Sequence, residues 1–320
     1  GRDGVGLADA AIAESRFEKG EDITSRMLSL VQRMGEIQRD GTPDIEFAVT
    51  GLLCRSLMAA GEPEDARRAV EQIRARFILQ GETRFLPNID ALLCRIALRT
   101  GDLDSVDAWY REKAPRDALH LNVMKRYQYF TQAMAELSAG KPDAALLTLA
   151  PLERYCKTCA RYIDGIHLGV LRAIALYRKK DSAWKDALTA ALAEAESFGF
   201  IRTISVYGAA VLLPLEALGE TGNARWYKKL LSDVRIQAAY YPRFLQPRLA
   251  PGEELTAAER QVLSLLCADK SNAEIGEIMN IKLTTVKTHV SHILDKLGVS
   301  RRSEAKTAAQ KLRLVPEDRS

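Results

Sequence analysis

The chain has 320 residues, 47% of them hydrophobic and 28% charged, with a formal net charge of +4 and a mean hydropathy of −0.16. Its longest apolar stretch, residues 207–218, is interrupted by Pro214 and Glu216 and is too short to span a bilayer. Five cysteines, an odd number with no signal peptide ahead of them, exclude a disulfide framework and point to the reducing cytoplasm.

From the first residues on, the text repeats. Gly20, Gly61, Gly101 and Gly140 recur at a spacing of about 40 residues, and Lys180 and Gly219 continue the beat. Each sits in one pattern: an apolar-periodic helix, a tight turn, an acidic or polar start, then a second helix, as in LMAAGEPEDARRAV and ELSAGKPDAALLTL. Six such pairs across residues 5–236 predict an all-α solenoid resembling tetratricopeptide repeats, with each pair burying its apolar face on its neighbours. Small residues five places after a turn (Ser25, Ala66, Ala145 and Ala224) mark where the two helices of a pair approach closely; Val106 and Lys185 break that rule. No stretch alternates with period two over a strand length, which argues against an α/β core.

Aromatic residues gather in the middle repeats: Trp109, Tyr110, Tyr127, Tyr129, Phe130, Tyr155, Tyr162 and Tyr177. Their bland reading is gap-filling between helices. A solenoid also offers a concave groove, and there Arg126, Tyr127, Tyr129 and Tyr162 are the residues expected to receive an effector, either a small molecule or a protein. Cys156 and Cys159 form a C-x-x-C late in a predicted helix, where packing explains them better than redox chemistry. His120 reads as a turn residue and His167 as a partly buried helix residue.

Residues 237–254 carry Pro242, Pro247 and Pro251 and read as a semi-rigid linker between a domain at 1–236 and one at 255–315. The second domain opens with two capping-box pairs, Thr256 with Glu259 and Ser271 with Glu274. Val262, Leu263 and Leu266 make one apolar stripe; Ile275, Ile278 and Met279 make the next. After a break at 280–282 comes a third, of Val286, Val290, Ile293, Leu294 and Leu297, closed by Gly298. Two short helices joined by a tight turn, the second with Thr284, Thr285, Lys287, Thr288 and Ser291 on its outer face, form a helix-turn-helix pattern. Hydroxyls at a helix N-terminus suit phosphate oxygens, while Lys287, Thr288 and Ser291 are placed to reach base edges. Residues 255–313 hold ten Lys/Arg against six Asp/Glu, so the basic excess of the whole chain lies in this fifth of it.

This segment resembles the LuxR-type (GerE-like) helix-turn-helix of bacterial transcription regulators. Leu255, Thr256, Glu259, Val262, Leu263, Leu266, Ser271, Asn272, Glu274, Ile275, Ile281, Thr285, Val286, Lys287, His289, Ile293, Lys296, Leu297, Gly298 and Val299 all fit the family pattern. The resemblance implies base contacts from Lys287, Thr288 and Ser291. It implies further DNA contacts around Ser271, Asn272, Thr284, Thr285, His289 and Lys296. A fourth helix over about 303–312 would form a homodimer contact through Ala305, Ala308, Ala309 and Leu312. The chain departs from the pattern at Ala258, where an arginine is usual, and at Asp269, where a glycine gives an easy left-handed turn. Lys282 also departs, standing where a Ser or Thr cap is usual, so that Thr284 is expected to cap a shorter helix.

A helical-repeat region followed by such a module resembles the C-terminal half of MalT-like, ATP-dependent regulators. No G-x-x-x-x-G-K-[ST] loop occurs here and the chain starts at Gly1, so it reads as a fragment of a longer regulator, the alternative being a shorter regulator that never had an ATPase. The expected function is a transcription regulator, with activation as the sign the resemblance implies. Its partners would be double-stranded operator DNA, an effector and, for an activator, RNA polymerase, with no membrane. No catalytic motif, metal site or cofactor is expected; His289 and His292 lie three apart without a third ligand. The competing reading is an interaction scaffold whose C-terminal module mainly dimerises, but such a scaffold has no need of a Thr-Lys-Thr-Ser outer face.

Overall fold

All six beat positions take positive φ, between +58° and +83°, and this is what stops each first helix and turns the chain into its partner. Five are glycines. Lys180, at φ +58°, adopts the same conformation against the steric cost of its Cβ. The computed structural model describes residues 2–36, 43–116, 121–122, 124–246, 255–297, 299, 301–311 and 314, all helix, turn or coil with no strand among them. They form two compact units, residues 1–247 and 248–320.

The first unit contains six hairpins: α1 (Arg2–Glu18) with α2 (Thr24–Glu36), α3 (Pro43–Ala60) with α4 (Pro63–Gln80), α5 (Leu86–Thr100) with α6 (Leu103–Glu112), α7 (Lys125–Ser138) with α8 (Pro142–Thr158), α9 (Tyr162–Arg178) with α10 (Trp184–Ser197), and, after the short α11 (Arg202–Ser205), α12 (Gly208–Leu218) with α13 (Ala224–Tyr240). Local signals set the second helices. Pro63 and Pro142 open α4 and α8 where a missing N–H costs nothing, and Asp102 and Asn223 cap α6 and α13 through their side-chain oxygens.

Helices α3, α5, α7 and α9 are buried on most sides. Their partners bury a single stripe at helical spacing, such as Ala66, Val70, Ile73 and Phe77 on α4 and Ala145, Leu149, Leu152 and Cys156 on α8. The close approach expected at small residues holds for Ala66 and Ala145 but not at either end of the array. Ser25 and Ala224 face solvent, and Met27 and Tyr227 enter the core in their helices instead. The closest packing lies elsewhere, where a Cβ on Gly169 of α9 would come within 2.9 Å of Ala191 of α10.

In an open solenoid each repeat touches only its neighbours. Here the array closes on itself. The Ile201 N–H donates to the Glu18 carbonyl at 2.5 Å and the Thr203 hydroxyl to the Glu18 carboxylate at 2.6 Å. Gln237 Nε2 donates to the Ala59 carbonyl at 2.8 Å and the Tyr241 hydroxyl to that of Met58 at 2.7 Å, so the last hairpin satisfies the end of α3. Gly61 (φ +83°) is needed twice over, because a Cβ there would press on the Tyr240 ring at 3.1 Å.

The expected linker therefore starts later than 237. Gln237 and Tyr240 belong to α13, and Tyr241, Phe244 and Leu245 are buried in the core of the first unit. Pro242 follows the helix end as a turn residue, while Pro247 and Pro251 lie outside the described residues.

The second unit is a small bundle of α14 (Ala257–Cys267), α15 (Asn272–Met279), α16 (Leu283–Leu297) and α17 (Arg302–Lys311). Leu255, Val262, Leu263, Leu266, Ile275, Val286, Val290, Ile293 and Leu297 form its core. Ala305 and Ala309 of α17 complete that core with no exposed surface, which corrects their assignment to a dimer contact. Small side chains are needed there because α17 packs on α14 and α16. Ala308 is half-buried against the same core, and Leu312 and Gly298 lie outside the described residues.

Candidate nucleic-acid interface

Both capping boxes form: Thr256 and Ser271 each accept the backbone N–H three residues on, and Glu259 and Glu274 each reach back to the cap N–H. Asn280 then ends α15 in left-handed conformation (φ +54°), and the Ile281 N–H donates to the Gly276 carbonyl at 3.0 Å. Gly276 must be small, since a Cβ would lie 2.9 Å from the Ile281 carbonyl oxygen. This turn sets the angle between α15 and α16. Asp269 occupies its turn at φ +59°, so the left-handed conformation is present without the usual glycine.

Helix α16 starts at Leu283, with the Lys282 carbonyl accepting the Val286 N–H at 3.1 Å. Thr284 is thus inside the first turn rather than its cap, and its carbonyl receives the Thr288 hydroxyl at 3.1 Å. Val286, Val290 and Ile293 anchor one side in the core. Opposite them Thr284, Thr285, Lys287, Thr288 and Ser291 are all exposed, and His289 is half-buried. The arrangement presents hydroxyls, one ammonium and no carboxylate over the first two turns, a donor-rich face matched to phosphates and base edges.

Lys296 lies elsewhere. Its ammonium donates to both Glu259 oxygens at 2.7 and 2.9 Å, tying the end of α16 to the start of α14. Burial acts to raise the Glu259 pKa, but the hydrogen bonds from Lys296 and Thr256 and the Lys296 charge outweigh it and hold the carboxyl at about 2. Asn272 accepts a 2.9 Å hydrogen bond from Arg302, which also donates to the Lys270 carbonyl, so α17 braces the start of α15. Ser271 stays exposed with its hydroxyl oxygen engaged in the cap.

The four residues expected to receive an effector do not converge. Arg126 pairs with Asp164 at 2.7 Å; Tyr129 is buried in the core; Tyr162 is 55% exposed against Phe198. Only Tyr127 belongs to a polar interior, where the Arg95 guanidinium lies 3.6 Å from its ring centroid. With it are Arg55, Arg99, His167 and Tyr207, none of which sequence reasoning had singled out as a site. Arg95 and Arg99, four apart in the otherwise apolar text LLCRIALRT, were the available signal. His167 Nδ1 and the Tyr207 hydroxyl share a hydrogen bond at 3.0 Å. Burial pushes His167 down to about 4, with Glu18 and Asp164 opposing and Arg55 and Arg95 assisting. Cys156 is buried and its thiol pushed up to about 11, the opposite of a reactive thiolate, while Cys159 is exposed.

Comparison with known proteins fits this arrangement. Residues 253–309 match the model of bacterial regulatory proteins of the luxR family, which sets the class. Residues 28–220, more than half of the chain, match the MalT-like TPR region, and the chain belongs to that family. It is 27% identical over 295 residues to the HTH-type transcriptional regulator MalT of Cronobacter sakazakii, covering 84% of this chain and 32% of that protein. Against the protein of the same name from Serratia proteamaculans it is 25% identical over 324 residues, covering 93% and 34%. The chain therefore spans about a third of the length of these curated relatives. No solved structure gives a significant match.

Proposed function

We propose that this chain carries the effector-receiving and DNA-reading parts of a transcription activator. In this reading α16 enters the major groove, Lys287, Thr288 and Ser291 reach base edges, and Thr284, Thr285 and the backbone at Ser271 meet phosphates. A second copy binds the other half of a two-fold operator, the closed repeat unit receives the effector, and RNA polymerase is the downstream partner. The observation that carries the reading is the exposed Thr-Lys-Thr-Ser face of α16, held over a core that fixes which side points outward. Nothing in a scaffold would select those residue types.

The test is to select binding sites from random duplexes with the full chain and measure affinity by fluorescence anisotropy. Lys287→Ala is expected to weaken the selected site by about 1–3 kcal/mol and relax the preference at one base position. Affinity should also fall steeply with salt as phosphate counterions are released. A flat salt profile, or unchanged affinity in Lys287→Ala, would remove α16 as the reading element.

A further inference from the structure

Among the described residues of the first unit, two interior arginines have no carboxylate partner, while the buried Glu136 is held by Tyr110, Gln132 and Thr148. Three arginines, Arg55 on α3 and Arg95 and Arg99 on α5, act together on Cys54, Tyr127 and Tyr207, three groups on different helices or turns. Around them the acids are already engaged. Glu18 is fully buried, paired with Arg55 and accepting from Thr203. Asp164 is shared by Arg126 and Arg161.

Arg95 and Arg99 have no carboxylate partner among the described residues. Arg95 spends its donors on the Thr131 hydroxyl at 2.8 Å and the Tyr127 carbonyl at 3.0 Å. Arg99 donates to the Val206 carbonyl at 3.2 Å and lies 5.7 and 5.2 Å from the ring centroids of Tyr241 and Phe244. Neither guanidinium has a nitrogen sealed from solvent without a partner, and both side chains keep accessible surface, as do Arg55, Tyr127 and His167. These side chains are desolvated enough to shift His167 and Arg99 while each residue keeps some exposed surface.

Two like charges one helical turn apart repel, and burial lowers the Arg99 pKa with Arg95 adding to the effect. A fold keeps such a pair at a cost unless something anionic completes it. Guanidinium donors arrayed in a plane suit carboxylate and phosphate oxygens, and the Tyr207–His167 pair offers neutral hydrogen bonding beside them. We propose that the closed repeat unit binds a small multivalent anion, a carboxylate- or phosphate-bearing metabolite, between Arg95 and Arg99. The site is formed only in the closed array, because Val206, Tyr207, Tyr241 and Phe244 flank its last hairpin and Arg95 and Arg99 come from its third. This rests on the reading that the repeat unit receives an effector, and it names the chemistry of that effector.

The test uses the full chain, melted in chloride and then in citrate, inorganic phosphate or pyrophosphate at matched ionic strength. At least one of these anions is expected to raise the melting temperature of the first unit by several degrees beyond chloride, saturably. Arg95→Met and Arg99→Met should each raise the half-saturating concentration at least tenfold, while Arg235→Met, an exposed position on α13, leaves it unchanged. In chloride alone the two interior variants should melt at or above the parent, since each removes one of two unanswered charges. No saturable shift with any of the three anions overturns the proposal, as does a shift that survives both variants. Variants that melt lower in chloride and keep the anion increment assign these arginines to packing alone. Operator affinity separates the two readings: an anion that binds but leaves DNA affinity unchanged keeps the site and sinks effector control. A neutral molecule or protein that alters DNA affinity, with no anion shift, does the reverse.

Discussion

The two units place their polar groups in opposite ways. In the first, charge and hydrogen-bonding capacity are drawn inward, with Glu18, Arg55, Arg95, Arg99, His167 and Tyr207 inside a shell of apolar helix stripes. In the second, the interior is aliphatic apart from the Glu259–Lys296 tie, and the polar groups stand on the outer face of α16. A unit that reads a large, flat polyanion keeps its donors outside. Inward-facing donors in a closed array suit something small enough to be surrounded.

The contrast breaks most severely if the Glu259–Lys296 ion pair of the second unit is removed. Glu259→Ala removes the buried carboxylate that receives both the Lys296 ammonium and the Thr256 N–H and should cost about 3 kcal/mol. Calorimetry of the full chain should show the transition of the second unit moving down while that of the first stays. Operator binding would fall with it, although Glu259 lies off the α16 face.

Acid should separate the units next. His167, at about 4 in the folded unit against an ordinary 6.5, is neutral there while the unfolded chain takes up a proton. Stability of the first unit is therefore lost as pH falls from about 6.5 to 4. Glu259 is depressed from 4.5 to about 2, so its contribution is complete above 4.5 and lost between there and 2. Each window is worth at most about 3 kcal/mol. Two acid transitions by calorimetry, the repeat unit first, are expected; a single coincident one would contradict the assignment.

Closure itself is a smaller effect. Tyr241→Phe removes the shorter of two hydrogen bonds to the Met58 carbonyl, which keeps the Gly61 N–H at 3.3 Å, and should cost about 0.5–1.5 kcal/mol, read in the first transition only.

Much of this was legible because it is local. The beat of left-handed turns shows in the text since each needs a glycine or a tolerant residue at one position; Lys180 falls in place by spacing, and Asp269 by standing where the LuxR-type pattern has a glycine. The α16 face is legible from amphipathic period. Closure is not, because Gln237 meets Ala59 across 178 residues and leaves no periodic trace. For the same reason the linker was drawn over residues that pack into the core, cued by Pro242. Ala305 and Ala309 misled because a small-residue stripe looks alike whether it faces a second copy or its own bundle. The bracing bonds of Lys296 and Asn272 were not legible either, because their partners Glu259 and Arg302 lie 37 and 30 residues away. The effector residues were chosen by aromatic type, and only Tyr127 lies where the arginines converge.

The smallest test returns to those turns. Lys180→Gly and Asp269→Gly each relieve a Cβ held at positive φ, offset by the freedom glycine adds to the unfolded chain. Each should stabilise its own unit by about 0.5–1 kcal/mol, and the other unit not at all.

Closure of the array also fixes the order in which the molecule can be made. An open solenoid gains stability repeat by repeat as the chain emerges from the ribosome, and it tolerates shortening at its ends. Here Phe17, Glu18 and the last turn of α3 wait for residues 201–245 before their buried groups are satisfied. The earliest helices are thus the last to be finished, and most of the unit must be translated before any of it is fully native. A deletion that removes one terminal hairpin should unravel the opposite end, so this array is inherited whole or lost.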